Sequence, residues 1–382
     1  MKRNIFDEDH EALREIAREF AQKDVVPHLD AWAKAGLIDK GMFRKAGAQG
    51  LLGMTVPTEY GGGGMDDFRF SVVVNEELAR YCGNAIAMAI TGYNDLCAPY
   101  FEEFASPEQK QRWLPGLCSG ELVSAIAMTE PGAGSDLAGI RTTARWDGEH
   151  YVLKGAKTFI SNGINADLIV TVVKTDPDAG RKGISLLVVE AGMPGFERGS
   201  SIKKVGLHAQ DTAELFFDNV KIPKENLLGQ EGAGFGYLMH NLVRERLSIA
   251  VAAMTSMEVA LDEAVMYTKN RMAFGQRVAD FQTTRHRLAE MATRVEVARV
   301  FLDRCIQGYV EGTVTEVEGA MAKWYVTELQ QQIIADSLQL HGGYGFVTEY
   351  PIAREYLDAR VTTLFGGTTE IMKEIIGRSL TK

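Results

Sequence analysis

The spacing of apolar residues changes twice along the chain, and this change limits the possible folds more than any single motif does. Up to about residue 122, apolar residues recur at intervals of three and four, as at Leu13, Ile16 and Phe20, which is typical of amphipathic helices. From 123 to 229 they form short β-branched runs such as 168–173 and 184–189, bounded by turn residues, which indicates strands. From 230 onward the helical interval returns, with long segments at 235–270, 280–311 and 314–341.

This order predicts three domains. They are an N-terminal helical domain over 1–122, a middle β domain over 123–229 and a C-terminal helical bundle over 230–382. Because strands and helices occur in separate blocks, a doubly wound sheet is a poor interpretation, and the predicted fold class is α+β, mostly α. The three long segments near the end favour an antiparallel bundle.

Composition restricts the class of function. The chain has 382 residues, 46% hydrophobic and 24% charged, so we expect a globular protein with a sizeable core. An excess of 51 acidic over 41 basic residues argues against general nucleic-acid binding. Four scattered cysteines without metal-ligand spacing favour reduced thiols. We also expect no secretory signal and no membrane span, and hence a cytoplasmic protein.

Two glycine-rich stretches suggest nucleotide binding to different degrees. The stretch 127–136, Ala-Met-Thr-Glu-Pro-Gly-Ala-Gly-Ser-Asp, offers N–H and hydroxyl groups to a phosphate or a polar ring edge. An ordinary tight turn is the alternative, and spacing alone favours it. The stretch 232–236 resembles a dinucleotide fingerprint, but position 237 is Tyr237, and the stretch opens a helix in a helical region with no βαβ unit around it, so we reject that interpretation.

Three further stretches combine aromatic, hydroxyl and glycine residues. Residues 157–162, Lys-Thr-Phe-Ile-Ser-Asn, end a predicted strand, where they either stack on a flat ring or simply enter a turn. The stretches 339–345 and 364–370 contain paired glycines, which either allow a ligand close to the backbone or end a helix. His341 is interpreted as a polar core or interface residue.

Glu245 falls on the apolar side of the predicted helix 235–270. It follows Leu242 by three residues and precedes Ile249 by four, and both belong to the apolar stripe. A buried carboxylate is costly unless it is paired. Glu245 is therefore either the ion-pair partner of a core arginine or a desolvated general base with a raised pKa, and the spacing leaves both open.

Taken together, these stretches resemble the acyl-CoA dehydrogenase family over essentially the whole chain. Residues 129–136 are similar to the first signature of that family, and 271–290 and 339–345 are similar to others. The stretch 209–217 looks like the long-chain branch. The resemblance implies a helical N-terminal domain, a β-barrel-like middle domain and a C-terminal four-helix bundle, with FAD bound non-covalently between the β domain and the bundle.

The resemblance also implies which residues contact FAD. The residues that match the loop over the flavin are Met128, Thr129, Gly134 and Ser135, and those that match the strand end beside the isoalloxazine ring are Phe159, Ile160 and Ser161. The residues that match positions holding the adenosine-diphosphate part across a subunit interface are Arg271, Phe274, Gln282, Gln339, Gly342 and Gly343. Those that match the loop after the active-site glycines are Thr368 and Glu370.

One departure from the family pattern concerns the catalytic base. Many members carry a catalytic Glu within Tyr-Glu-Gly-Thr, but the matching residues 365–368 are Phe-Gly-Gly-Thr, so that Glu is absent. In the long-chain and isovaleryl branches the base comes from the first bundle helix, where this chain has Glu245. The resemblance therefore implies Glu245 as the base, with the Gly366 N–H as a donor to the thioester oxygen.

The implied activity is α,β-dehydrogenation of an acyl-CoA thioester to a trans-2-enoyl-CoA, in fatty-acid β-oxidation or related acyl-CoA catabolism. Implied substrate contacts are Ser135, Lys182, Leu242, Val243, Arg246, Phe365 and Gly366. The implied electron acceptor is an electron-transferring flavoprotein, and the implied assembly is a homotetramer. The alternatives are a non-catalytic relative that binds FAD and acyl-CoA, and an acyl-CoA oxidase that uses oxygen.

Overall fold

The computed structural model describes residues 1 and 3–381, and it places helices at both ends of the chain and strands in the middle, as predicted. The α-helices are α1 Glu8–Phe20, α2 Leu29–Ala35, α3 Lys40–Ala48, α4 Phe68–Cys82, α5 Asn84–Thr91, α6 Ala98–Phe104, α7 Pro107–Cys118, α8 Gly234–Asn270, α9 Gln282–Val310, α10 Glu316–His341, α11 Pro351–Ala359 and α12 Thr369–Leu380. The strands are β1 Ser124–Ala127, β2 Thr143–Trp146, β3 His150–Ser161, β4 Leu168–Lys174, β5 Ile184–Glu190, β6 Phe196–Ser201, β7 Thr212–Pro223, β8 Leu227–Leu228, β9 Met272–Ala273 and β10 Gln276–Arg277.

Strands β1 to β8 form one sheet in the order β6-β7-β3-β2-β4-β5-β8, with β1 beside β4. Strands β4 and β5 are buried on both faces: Val170 and Leu186 pack with the N-terminal helices, and Ile169 and Leu187 pack under β3 and β7. This double burial explains their continuous apolar runs. Because side chains of β3 and β7 pack against those of β4 and β5, the sheet curves toward a barrel. In the described residues its edge strands β6 and β8 do not pair, so the barrel is not closed.

Helix α8 connects the parts of the fold. It packs along α9 and α10 in the C-terminal bundle and also contacts α4 and the π-helical turn Gly92–Cys97 of the N-terminal part. Leu247 and Met254 of α8 share a core with Leu302 of α9 and Val326 of α10. The first third of α8 is thereby held between the bundle and the N-terminal helices, and this is where the site described below lies.

Most predicted elements agree with the structure, and one is partly wrong. The three long segments correspond to α8, α9 and α10, and α7 begins with a reciprocal pair of hydrogen bonds between Ser106 and Gln109. The helical spacing of apolar residues from Met42 to Leu52 predicts a helix over that range, but α3 ends at Ala48, because Gly50 follows in the left-handed region at φ +71°.

The predicted domain boundaries, after 122 and after 229, lie between α7 and β1 and between β8 and α8; the division itself stays a prediction. Within the described ranges, no helix has both the length and the apolar character that crossing a bilayer requires.

Candidate active site

Glu245 lies on the buried side of α8, as its spacing predicted. Its side chain is 8% exposed and accepts no hydrogen bond from the residues that the structure describes. Burial raises the pKa of Glu245 to about 7, against the opposing effect of the positive charges of Arg246 and Lys323. An unpaired carboxylate with such a pKa is suited to take up a proton near neutral pH.

The turn at Gly366 and Gly367 brings backbone directly against this carboxylate. Both glycines are left-handed, with φ of +64° and +95°. A Cβ atom added at Gly366 would lie 3.7 Å from Oε1 of Glu245 and 2.3 Å from Cδ1 of Ile249, so the backbone approaches both side chains closely, and glycine adopts this left-handed conformation without strain. The N–H of Gly366 donates to no acceptor among the described residues, and it is therefore available to a ligand.

Lys323 of α10 completes this cluster, and the sequence analysis missed it. Its side chain is completely buried, and Nζ donates a hydrogen bond of 2.7 Å to the carbonyl oxygen of Gly367. Burial lowers the pKa of Lys323 to about 8. The signal that identified Glu245, a charged residue within an apolar helical stripe, is also present here, because Ala320, Ala322 and Val326 surround Lys323 in sequence and are buried.

Apolar and weakly polar groups surround Glu245. Leu242 and Ile249 lie on either side of it along α8, each nearly buried. Burial raises the pKa values of Tyr100 and Cys97, and the nearby charge of Glu245 raises them further. The hydroxyl of Tyr100 is buried without a hydrogen-bond partner in the described part of the chain. The carboxylate is therefore largely enclosed by protein on these sides.

Three other residues predicted to contact the substrate near Glu245 lie in different surroundings. Phe365 is half-buried beside the glycine turn. Arg246 is buried, and its Nη1 lies 3.5 Å from Oε1 of Glu316. Val243 packs in the bundle core, where its Cγ1 would lie 3.2 Å from a Cβ added at Gly319.

The loop after β1 and the end of β3 are joined into a second cluster. The N–H of Thr158 donates to the carbonyl of Thr129 at 2.9 Å. Nζ of Lys157, completely buried, donates to the carbonyl of Met128 and to Oε1 of Glu130, both at 2.9 Å. The Glu130 carboxylate also accepts hydrogen bonds from the backbone N–H groups of Arg141 and Thr142. These bonds fix the start of the loop after β1.

Phe159 projects from this cluster. The pairing of β3 with β7 shifts register between Lys157 and Ile160, and Phe159 within that bulge has φ of +58°. Its ring is 65% exposed although Thr158 and Ile160 on either side are buried. A strained residue that presents an aromatic face at a bulge points to a planar ligand. Ser161 follows it as the last residue of β3.

These residues fit the flavin part of FAD. A Cβ at Gly132 or Gly134 would meet nothing nearer than 4.0 Å, and the N–H groups of Gly132, Gly134 and Ser135 donate to no acceptor in the described residues. The loop therefore offers an open row of donors beside the exposed ring of Phe159, as a polar ring edge or a phosphate requires.

A cavity of about 460 Å³ at the far end of α8 brings together four of the residues predicted to hold the adenosine-diphosphate part. They are Arg271, Gln339, Gly342 and Gly343. Tyr267 and Tyr344 also line this cavity, and the guanidinium of Arg271 lies 5.8 Å from the centre of the Tyr344 ring. An arginine, an amide and bare glycine backbone are the groups that a diphosphate needs.

The remaining predicted contacts lie outside these clusters. Phe274 sits in the β9–β10 hairpin with 96% of its surface exposed, and Gln282 is the exposed first residue of α9. Lys182 lies exposed in the turn before β5. Thr368 caps α12 by accepting the N–H of Ile371, and Glu370 is exposed in the first turn of that helix. Their roles toward a ligand stay predictions.

Three sequence profiles match the chain almost end to end. They are the acyl-CoA dehydrogenase N-terminal domain over 7–121, the middle domain over 125–220 and the C-terminal domain over 232–381. The mitochondrial long-chain specific acyl-CoA dehydrogenase of Sus scrofa is 44% identical over 99% of this chain and 88% of its own length.

Solved structures agree. An acyl-CoA dehydrogenase from Geobacillus kaustophilus matches with a TM-score of 0.97 at 50% identity, covering 99% of each chain. A glutaryl-CoA dehydrogenase from Mycobacterium smegmatis in complex with FADH2 matches with a TM-score of 0.91 at 26% identity, covering 99% of this chain and 95% of that one.

Proposed function

Because the chain belongs to the acyl-CoA dehydrogenase family, whose members are FAD-dependent oxidoreductases, we propose that Glu245 is the catalytic base and the Gly366 N–H the donor to the thioester oxygen. The reaction is the α,β-dehydrogenation of an acyl-CoA thioester to a trans-2-enoyl-CoA. The observation that carries the proposal is the position of the Gly366 turn, where an added Cβ would be 3.7 Å from Oε1 of Glu245.

The chemistry divides between these two groups. Glu245 removes the α-proton of the thioester, and its burial matches the pKa of its carboxyl group to neutral pH. The Gly366 N–H stabilises the negative charge that develops on the thioester oxygen as that proton leaves. When bound, FAD supplies the acceptor for the hydride from the β-carbon. Leu242, Ile249 and Tyr100 exclude water around the carboxylate.

Three groups of residues are proposed to hold FAD. The flavin side consists of the loop at Met128, Thr129, Gly134 and Ser135 and of the strand end at Phe159, Ile160 and Ser161. The adenosine-diphosphate side consists of Arg271, Phe274, Gln282, Gln339, Gly342 and Gly343. The third group, adjacent to the active-site turn, consists of Thr368 and Glu370. The open donors of the first loop and the 460 Å³ cavity support this assignment.

The proposed substrate contacts are Ser135, Lys182, Leu242, Val243, Arg246 and Phe365, beside Gly366. The proposed electron acceptor is an electron-transferring flavoprotein, and the proposed assembly is a homotetramer. A cytoplasmic location is proposed as well, supported by four buried cysteines that form no disulfide in the described residues.

The test is anaerobic addition of acyl-CoA thioesters to the FAD-loaded enzyme, with flavin absorbance as the readout. We expect the yellow absorbance to bleach in a single turnover. In Glu245→Gln, bound FAD and acyl-CoA affinity should persist while bleaching slows by about 100- to 10,000-fold, the usual contribution of a general base. Asp262→Asn, an exposed carboxylate on the same helix, is the matched control and should bleach normally.

Other outcomes identify the alternatives. Bleaching in Glu245→Gln at the wild-type rate would remove Glu245 as the base. No bleaching with any acyl chain in the wild type would indicate a binding protein without catalysis. Rapid reoxidation in air with formation of hydrogen peroxide would indicate an oxidase.

A further inference from the structure

Helix α10 holds the segment from 359 to 369 through five hydrogen bonds, the longest of which runs from Gln331 Nε2 to Thr362 Oγ1 at 3.4 Å. The other four run from Gln331 Nε2 to the Ala359 carbonyl at 2.6 Å, from Thr362 Oγ1 to Gln330 Oε1 at 2.8 Å, from Lys323 Nζ to the Gly367 carbonyl at 2.7 Å, and from Thr369 Oγ1 to Glu328 Oε1 at 2.6 Å. The longest bond and the first two of these four fix the chain before the glycine turn, and the last fixes it after the turn. Of the five bonds, that of Lys323 alone reaches the turn.

The burial of Lys323 calls for an explanation. A buried ammonium group loses hydration that only specific partners replace. No carboxylate lies within ion-pair distance of Nζ in the described residues, although Glu245, Glu328 and Glu370 are near enough to favour its charged form and Arg246 to disfavour it. The carbonyl of Gly367 is the one hydrogen-bond acceptor that the described structure gives Nζ.

We propose that Lys323 is a positioning residue, which fixes the Gly366–Gly367 turn through the Gly367 carbonyl and so holds the Gly366 N–H in place for the thioester oxygen. This inference rests on the proposed role of Gly366. The bond from Lys323 Nζ to the Gly367 carbonyl restrains the peptide that follows the glycine pair, and with it the backbone beside the donor.

The physical need for such an anchor follows from the turn itself. Two consecutive glycines have the largest backbone freedom of any dipeptide, and neither N–H group of this pair is bonded within the described residues. An oxyanion donor works because it is preorganised at a hydrogen-bonding distance from the developing charge. A displacement of about 1 Å in such a group is enough to cost on the order of 100-fold in rate.

The test compares Lys323→Met with Lys373→Met. Methionine is close to lysine in length and removes only the ammonium group. Lys373 is an exposed lysine on α12, 5.2 Å from the ring of Trp324, and makes no bond to the turn. FAD content and melting temperature verify that both variants fold. For Lys323→Met we expect kcat to fall by roughly tenfold or more, with KM nearly unchanged. The decrease should not exceed the ~100- to 1,000-fold that the loss of a whole oxyanion donor costs.

The second readout is independent of turnover. In the Glu245→Gln background an acyl-CoA with a ¹³C-labelled thioester carbonyl stays intact, and the infrared carbonyl frequency reports its hydrogen bonding. We expect a frequency below the solution value in Glu245→Gln and in Glu245→Gln/Lys373→Met. In Glu245→Gln/Lys323→Met the frequency should return toward the solution value. Because residue 245 is a neutral glutamine in this background, an effect of the Lys323 charge on the catalytic base cannot cause this change.

The outcomes separate the two proposals. A frequency at the solution value already in Glu245→Gln would overturn the role of Gly366. A lowered frequency that Lys323→Met leaves unchanged would overturn the role of Lys323 alone. If Lys323→Met loses FAD or melts early, Lys323→Gln, which keeps a polar group in the buried site, is measured in the same two ways and read by the same criteria.

Discussion

At the scale of single residues, the site depends on charged groups placed where apolar ones are expected. Glu245 was identified from its place in an apolar stripe, and the structure confirms its burial. Lys323 carries the same signal but was missed, because a lysine can extend its ammonium to solvent whereas a carboxylate so close to the helix cannot. The approach of Gly366 to Glu245 had no local signal, since the two are far apart in sequence.

The pH dependence of the reaction follows from the residue scale. The base works only when ionised, and burial raises the pKa of Glu245 to about 7. We therefore expect kcat/KM to be low at pH 5, to rise through about pH 7 and to level off above it. Single-turnover flavin reduction at sub-saturating acyl-CoA, followed between pH 5 and 8.5, measures this. A constant rate from pH 5 to 8 would contradict a base in this environment.

At the scale of elements, long regular segments were predictable and irregular ones were not. The periods of α8, α9 and α10 extend over many turns, so their bounds agree within a few residues. Helix α5 is apolar almost throughout, Asn-Ala-Ile-Ala-Met-Ala-Ile-Thr, and offers no period to detect. The bulge that exposes Phe159 depends on how β3 pairs with β7, which lies outside the local sequence.

Lys157 provides a prediction for the loop and strand that are proposed to face the flavin. Lys157→Met leaves Glu130 buried without its cation and frees the carbonyl of Met128. Breaking a buried pair in this way costs up to about 3–5 kcal/mol. We expect a lower melting temperature and at least a tenfold rise in the Kd for FAD, measured by fluorescence titration of the apoenzyme. Lys154→Met, an exposed lysine on the same strand, should change neither quantity.

At the scale of the whole molecule, the chain leaves large aromatic surfaces uncovered. Phe274 and Phe346 are 96% and 90% exposed, near the cavity that Arg271 and Gln339 line. Exposed apolar groups beside a ligand site favour contact with another copy. The order of the three blocks was predictable from period alone. A contact between copies at Phe274 was implied only by the family resemblance and stays a proposal, because a residue that is buried only by assembly looks like any apolar residue in the sequence.

The assembly is tested by mass in solution. We expect light scattering to give four times the 42.0-kDa mass of one chain, with one FAD per chain. Phe274→Asp should shift the enzyme to smaller species and lower its FAD content together, because a charged side chain at a buried contact is costly. A monomer that retains all of its FAD would refute the tetramer.

The length of α8 has a consequence for how sites in such an assembly depend on one another. Glu245 and Tyr267, which lines the 460 Å³ cavity, are 22 residues apart on this uninterrupted helix, or roughly 33 Å at ~1.5 Å per residue. If the two ends serve cofactors of different active centres, the helix is a stiff rod shared by both. Loss of FAD at one end of α8 then loosens the other end of the same helix, which carries the catalytic base of a neighbouring active centre. An enzyme that has lost part of its FAD is therefore expected to lose a larger fraction of its activity than of its flavin.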